Sequence, residues 1–111
     1  YYGGYMAMEK LLQGASLPRA VVCAYDAMAI GAIRALRDAG LRVPEDVSVM
    51  GFDGLDMGRY TVPTLSSIRQ NGDAMARRSV EMLLENIRSG RLPRHETVPF
   101  DLNLRESTRK N

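Results

Sequence analysis

The residues best equipped for chemistry gather around one segment, VSVMGFDG (47–54), in which a run of β-formers ends in Asp53 between two glycines. Burying a carboxylate is costly unless it is paired or hydrogen-bonded. Asp53 is therefore either a turn residue or a group held in place to meet a ligand. An earlier apolar run, AVVCAY (20–25), ends the same way, with Tyr25 followed by Asp26. Asp26 reads as a helix N-cap, where its charge also suits the helix dipole, or as a second ligand contact. A carboxylate can accept hydrogen bonds from hydroxyls or from a ring N–H, and a phenol can stack or donate. Together Asp53, Tyr25 and Asp26 suit a small polar molecule such as a sugar or a nucleobase.

The sequence carries no pattern for other chemistry. Asp53 and Asp56 lie three apart, too little for a metal site or a catalytic pair. His95 is the single histidine and has no Cys or second His at ligand spacing. Ser66 and Ser67, in LSS, lack the G-x-S-x-G context of a nucleophile elbow, and no phosphate-binding glycine loop occurs. The reading is a binding protein with no catalytic residue, no metal and no cofactor.

Positioning Asp53 and Tyr25 requires parallel strands. Tyr5, Met8, Leu11 and Leu12 recur at helical spacing and predict a helix over about 4–13, ended by Gly14. Ala20 to Tyr25 is apolar throughout, as suits a parallel strand covered on both faces. DAMAIGAIRALRDAG (26–40) predicts a helix closed by Gly40, with Met28, Ile30, Ile33, Leu36 and Ala39 spread over more than one face. Val47 to Phe52 is the next strand. An α-β-α-β order with short links argues for an α/β fold with a parallel sheet flanked by helices. In such sheets ligands bind at the carboxyl ends of strands, which is where Tyr25 and Asp53 fall. LSSIRQ (65–70) predicts a short strand, 73–89 a helix with an apolar stripe of Ala76, Val80, Leu83, Leu84 and Ile87, and HETVPFDLNL (95–104) one or two closing strands.

Composition allows one domain. The chain has 111 residues, 45% hydrophobic and 25% charged, the balance of an ordinary globular protein. A net charge of +2 is too small to point to nucleic acid by itself. The one cysteine, Cys23, permits no internal disulfide and reads as a small buried hydrophobe, favouring a reducing, cytoplasmic setting. No apolar run reaches the roughly 20 residues of a membrane span. The chain opens without methionine, in YYGGYMAM, as a fragment would.

Four motifs occur in order: D-x-x-A-x-G-x-x-x-A-L from Asp26, G-x-x-V-P-x-D-V-S-V-x-G-F-D ending at Asp53, P-x-L-S-S-I-x-Q ending at Gln70, and R-x-S-T at 105–108. Their order and spacing resemble the C-terminal half of the LacI/GalR family of bacterial transcription repressors. The resemblance implies the C-terminal part of a two-lobed, periplasmic-binding-protein-like (type I) fold with a small-molecule effector in the cleft. It implies a homodimer, and operator DNA bound only through an N-terminal helix-turn-helix that this sequence does not contain. Asp53 matches the family's effector-contacting aspartate. Tyr25 stands where many members place Asn or a small residue. Ile30, Met28 and Tyr60 are the implied dimer contacts. The resemblance also implies that about 1–69 and 103–108 belong to the C-terminal lobe and about 72–100 to the other. The stripe of the 73–89 helix would then lack its partner, and is expected to pack elsewhere on the chain, to swap into a second copy, or to be poorly ordered. A periplasmic sugar-binding protein without a DNA-binding head is the alternative. A receiver domain or flavodoxin-like enzyme lacks its required acidic pocket, lysine or nucleophile.

Overall fold

The structure, a computed structural model, describes residues 1–92 and 94–110. The elements run α1 (Tyr2–Leu12), β1 (Ala20–Val22), α2 (Asp26–Asp38), β2 (Ser48–Asp53), a 3-10 turn (Asp56–Arg59), β3 (Ser66–Gln70), α3 (Gly72–Ser89) and β4 (Phe100–Asn103). They form one sheet in the order β1-β2-β3-β4. β1 and β2 are parallel, with Val22 opposite Met50, and β2 and β3 are parallel, with Asp53 opposite Arg69. The predicted α/β class and parallel pairing are therefore present.

The chain divides into two compact units, 1–69 with 102–111 and 70–101. In the first unit, the core is built from Ala29, Ala32, Ile33 and Leu36 of α2 together with Val47, Val49, Leu65 and Met8. α2 uses two faces. One lies on the sheet, and the other receives α1 at very short range. A Cβ on Gly4 would overlap the Met28 carbonyl of α2, and one on Gly31 would overlap the Tyr1 carbonyl at the start of α1. The glycines thus let the two backbones meet, and part of α2's second apolar face is covered from within the chain.

Most helix and strand ends shift by a residue or two from the sequence reading, α1 for example beginning at Tyr2, and three differences bear on the site or the sheet. β1 stops at Val22, although the Cys23 N–H still reaches the Met50 carbonyl, so Ala24 and Tyr25 lie beyond the strand. β2 runs one residue further than expected and includes Asp53. The 95–104 segment supplies one strand among the described residues, β4. Gly40 and Gly90 adopt positive φ, 76° and 64°, at the ends of α2 and α3, as helix-terminating glycines do.

The link between α2 and β2 is tied by Asp46. Its carboxylate accepts from the Arg42 backbone N–H at 2.8 Å and from the Arg42 guanidinium at 2.8 and 3.0 Å. These bonds, the guanidinium first, hold its pKa down at about 2. A depressed carboxylate pKa contributes stability that is complete above the unfolded value, near pH 4, and is lost as pH falls toward 2. The pair is exposed, so the effect is small. Asp46→Asn is expected to lower the melting temperature slightly at neutral pH and to shrink that difference below pH 4, read from melting curves across pH.

The second unit contains α3. Asn71 caps it by accepting from the Ala74 N–H at 3.0 Å. Arg78 bonds Glu96 on the following segment and Glu81 and Glu85 on its own helix. None of the helix's side chains is buried, and Val80, Leu83, Leu84 and Ile87 are all exposed.

Candidate functional site

Asp53 is the last residue of β2 and is half-buried. Its φ of 122° lies in a region that L-residues rarely adopt, and Asp53 is the single non-glycine residue with positive φ among those described. Gly54 follows with φ 74° and passes so close to Arg69 that a Cβ would meet the Arg69 Cα at 2.6 Å. Two consecutive positive-φ residues turn the chain sharply off the strand, over β3. Strain of this kind persists only where the surroundings impose it, and it concentrates at functional positions.

The surroundings that impose it begin with Asp26, whose side chain is 1% exposed. The sequence suggests a helix cap or a ligand contact. The structure corrects the first: Tyr25 is the N-cap residue, with extended backbone and no side-chain cap bond, and Asp26 is the first residue of α2. The Asp26 carboxylate points inward rather than presenting itself to the surface. Oδ2 accepts from the Leu55 N–H at 2.7 Å and Oδ1 from the Ser67 hydroxyl at 2.5 Å. The Ser67 hydroxyl in turn accepts from the Gly54 N–H at 3.0 Å. Gly51, inside β2, explains its own presence here, because a Cβ at that position would overlap Asp26 Oδ1.

Tyr25 stands at the same carboxyl end of the sheet and is 58% exposed. Tyr60 is 84% exposed just after the 3-10 turn, whereas Ile30 and Met28 are partly buried against the core. Cys23 is buried, and burial pushes its thiol pKa up, away from the reactive thiolate. Among the described residues, no group of His, Cys, Asp and Glu could hold a metal, and no helix is long and apolar enough to cross a membrane.

Two serines to which the sequence reading assigns no role do structural work. Ser67 is the relay just described. Ser107, in R-x-S-T, is fully buried: its hydroxyl donates to the Val49 carbonyl at 2.6 Å and accepts from the Ser66 N–H at 2.8 Å. Its backbone adds bonds from the Val49 N–H to the Ser107 carbonyl and from the Ser107 N–H to the Thr64 carbonyl. The available signal is a pair of hydroxyl residues in a strand otherwise destined for burial.

The chain matches the periplasmic binding protein-like domain over residues 2–108. It is 36% identical to the HTH-type transcriptional repressor MelR of Bacillus subtilis over 94% of its own length and 30% of that protein's. Its structure superposes on that of a lac repressor dimer bound to operator and the anti-inducer ONPF with a TM-score of 0.87 at 31% identity, covering 95% of this chain and 37% of that one. A LacI family regulator from Enterococcus faecium, solved with bound ribose, gives a TM-score of 0.78 at 33% identity, with 96% of this chain and 39% of that one covered. The chain thus spans well under half the length of the relatives it matches. With its family motifs in order, a family-wide domain match and the same fold, the chain belongs to the LacI/GalR family, as the C-terminal part of its periplasmic binding protein-like region.

Proposed function

We propose that this chain is the effector-binding and self-association segment of a ligand-responsive transcriptional repressor. Asp53 carries the reading. A half-buried carboxylate at positive φ on the carboxyl end of a central parallel strand supports a role as hydrogen-bond acceptor for a ligand above the sheet. Tyr25 supplies an aromatic face at the same end. The first unit would form most of one lobe, and residues 72–100 would supply elements of the other. The effector class is a sugar or nucleobase-like molecule, and the solved relative with bound ribose supports the sugar arm. Effector binding would shift the populations of two lobe arrangements, which a DNA-binding head elsewhere in the full protein would read. The setting proposed is the cytoplasm.

Two observations test the reading. The gene upstream of Tyr1 is expected to encode a helix-turn-helix. A signal peptide there would favour the sugar-binding alternative, which shares the same domain match. In a thermal-shift series with ribose, other pentoses and hexoses, and purines, a stabilising ligand is expected to lose about tenfold or more in affinity with Asp53→Asn, the value of a charged hydrogen bond. An unchanged shift would remove Asp53 from the site.

Self-association is proposed through the exposed Tyr60 ring together with Ile30 and Met28. Tyr60→Ser removes a large apolar surface without touching the core. It is expected to move the sedimentation profile toward monomer, with the melting temperature of the monomer unchanged. An identical profile for both proteins would count against that face.

A further inference from the structure

The Asp53 turn is held by groups far away in sequence. Ser67, 1% exposed on β3, has one hydroxyl proton, and at 2.5 Å it goes to Asp26 Oδ1. That leaves the oxygen free to accept from the Gly54 N–H at 3.0 Å. The other Asp26 oxygen takes the Leu55 N–H at 2.7 Å. Two successive amides after Asp53 are thus drawn toward one buried carboxylate, one directly and one through a hydroxyl. Donation to a carboxylate polarises the hydroxyl and strengthens it as an acceptor. Gly51 keeps the space the carboxylate needs. Asp53 itself makes none of these bonds, yet its φ of 122° is the torsion that lets both following amides point inward.

We propose that Asp26 and Ser67 are positioning residues that hold the 53–54 turn in its left-handed conformation and so fix the direction of the Asp53 carboxylate. The proposal depends on the functional reading only for what Asp53 touches. The clamp itself is a property of the free chain. A helix-start aspartate and a strand serine, unrelated by sequence, are one device acting on a third residue.

The test is nuclear magnetic resonance on the isotope-labelled chain without ligand. Its readouts are the three-bond amide–Hα coupling of Asp53, which reports φ, and the exchange rate of the Gly54 amide. Ser67→Ala is expected to speed Gly54 exchange by about tenfold or more relative to Val49 in β2, the effect of one lost hydrogen bond. The Asp53 coupling is expected to move toward the averaged value of a mobile turn. Ser67→Thr keeps the hydroxyl and is expected to restore both readings. Leu55→Pro deletes the other donor at a residue whose φ, −62°, a proline ring adopts, and is expected to change the Asp53 coupling too. Should Ser67→Ala fail to fold, Leu55→Pro decides alone. Val43→Ala, a core truncation remote from the turn, should lower the melting temperature while leaving the coupling unchanged. An unaltered Asp53 coupling in folded Leu55→Pro, or an equal change in Val43→Ala, overturns the clamp. Loss of the ligand reading would show instead as an Asp53→Asn protein with unchanged thermal shifts, and would leave these couplings untouched.

Discussion

Replacing Gly4 by alanine is expected to destabilise the chain by about 3 kcal/mol, although the same change in an isolated helix would stabilise it by about 1 kcal/mol. The sign is decided by what the new methyl meets. At Gly4 it would overlap the backbone oxygen of Met28, with the Met28 Cα and carbonyl carbon at 2.7 Å. A backbone cannot rotate away as a side chain can. The start of α2 is also pinned, because Asp26 two residues earlier is bonded to Leu55 and Ser67. Relief must come from α1 lifting off α2, which uncovers Met8, only 1% exposed in the native packing. Gly3 supplies the internal control. It lies in the same helix, and a Cβ added there would meet nothing within 4 Å, so Gly3→Ala should stabilise by a few tenths to about 1 kcal/mol. Urea unfolding of the two proteins measures both. Equal midpoints would mean that the helices do not cross at these glycines.

Ser107→Ala is expected to cost about 3 kcal/mol, out of proportion to the loss of one oxygen atom. The hydroxyl serves the Ser66 N–H and the Val49 carbonyl, and Ser107, Ser66 and Val49 are all fully buried. Removing it leaves a donor and an acceptor without partners where water does not reach, at about 1–3 kcal/mol for each such group. The bonds join β2, β3 and the C-terminal segment, so the loss should also loosen the register at the amino ends of both strands. Thermal unfolding of Ser107→Ala beside Ser89→Ala, a serine on the exposed end of α3 whose hydroxyl bonds only locally, separates this effect from a generic serine deletion. A difference under about 1 kcal/mol would show that water replaces the lost hydroxyl.

The parts of the fold that are legible in the sequence are those written in local periods. The apolar spacing of α2, the run of β-formers that becomes β2 and the glycines after α2 and α3 each act over a few residues. Placing Asp53 at the carboxyl end of a parallel strand needs only the order of elements. The remainder is set by contacts between distant segments. The Asp26 to Ser67 bond spans 41 residues and the Ser107 to Val49 bond 58, and no local pattern announces either partner. Asp26 followed by an amphipathic run has the local signature of an N-cap, and only the approach of Leu55 and Ser67 turns it inward. Cys23 to Tyr25 are compatible with a strand by composition, which makes β1 look longer than it is, while the turn into α2 requires that Tyr25 leave it.

The bare stripe of α3 has a thermodynamic consequence. A helix with no buried side chain draws its stability from helix–coil equilibrium and a few surface ion pairs, each worth about half a kcal/mol or less. Its amides should exchange through local fraying, on a scale unrelated to the opening of the core around Leu36 and Val49. Calorimetry should then show one cooperative transition whose enthalpy matches the residues of the first unit alone, with α3 melting gradually beneath it. A single melting temperature for this chain would describe its α/β core and be silent about nearly a third of its length.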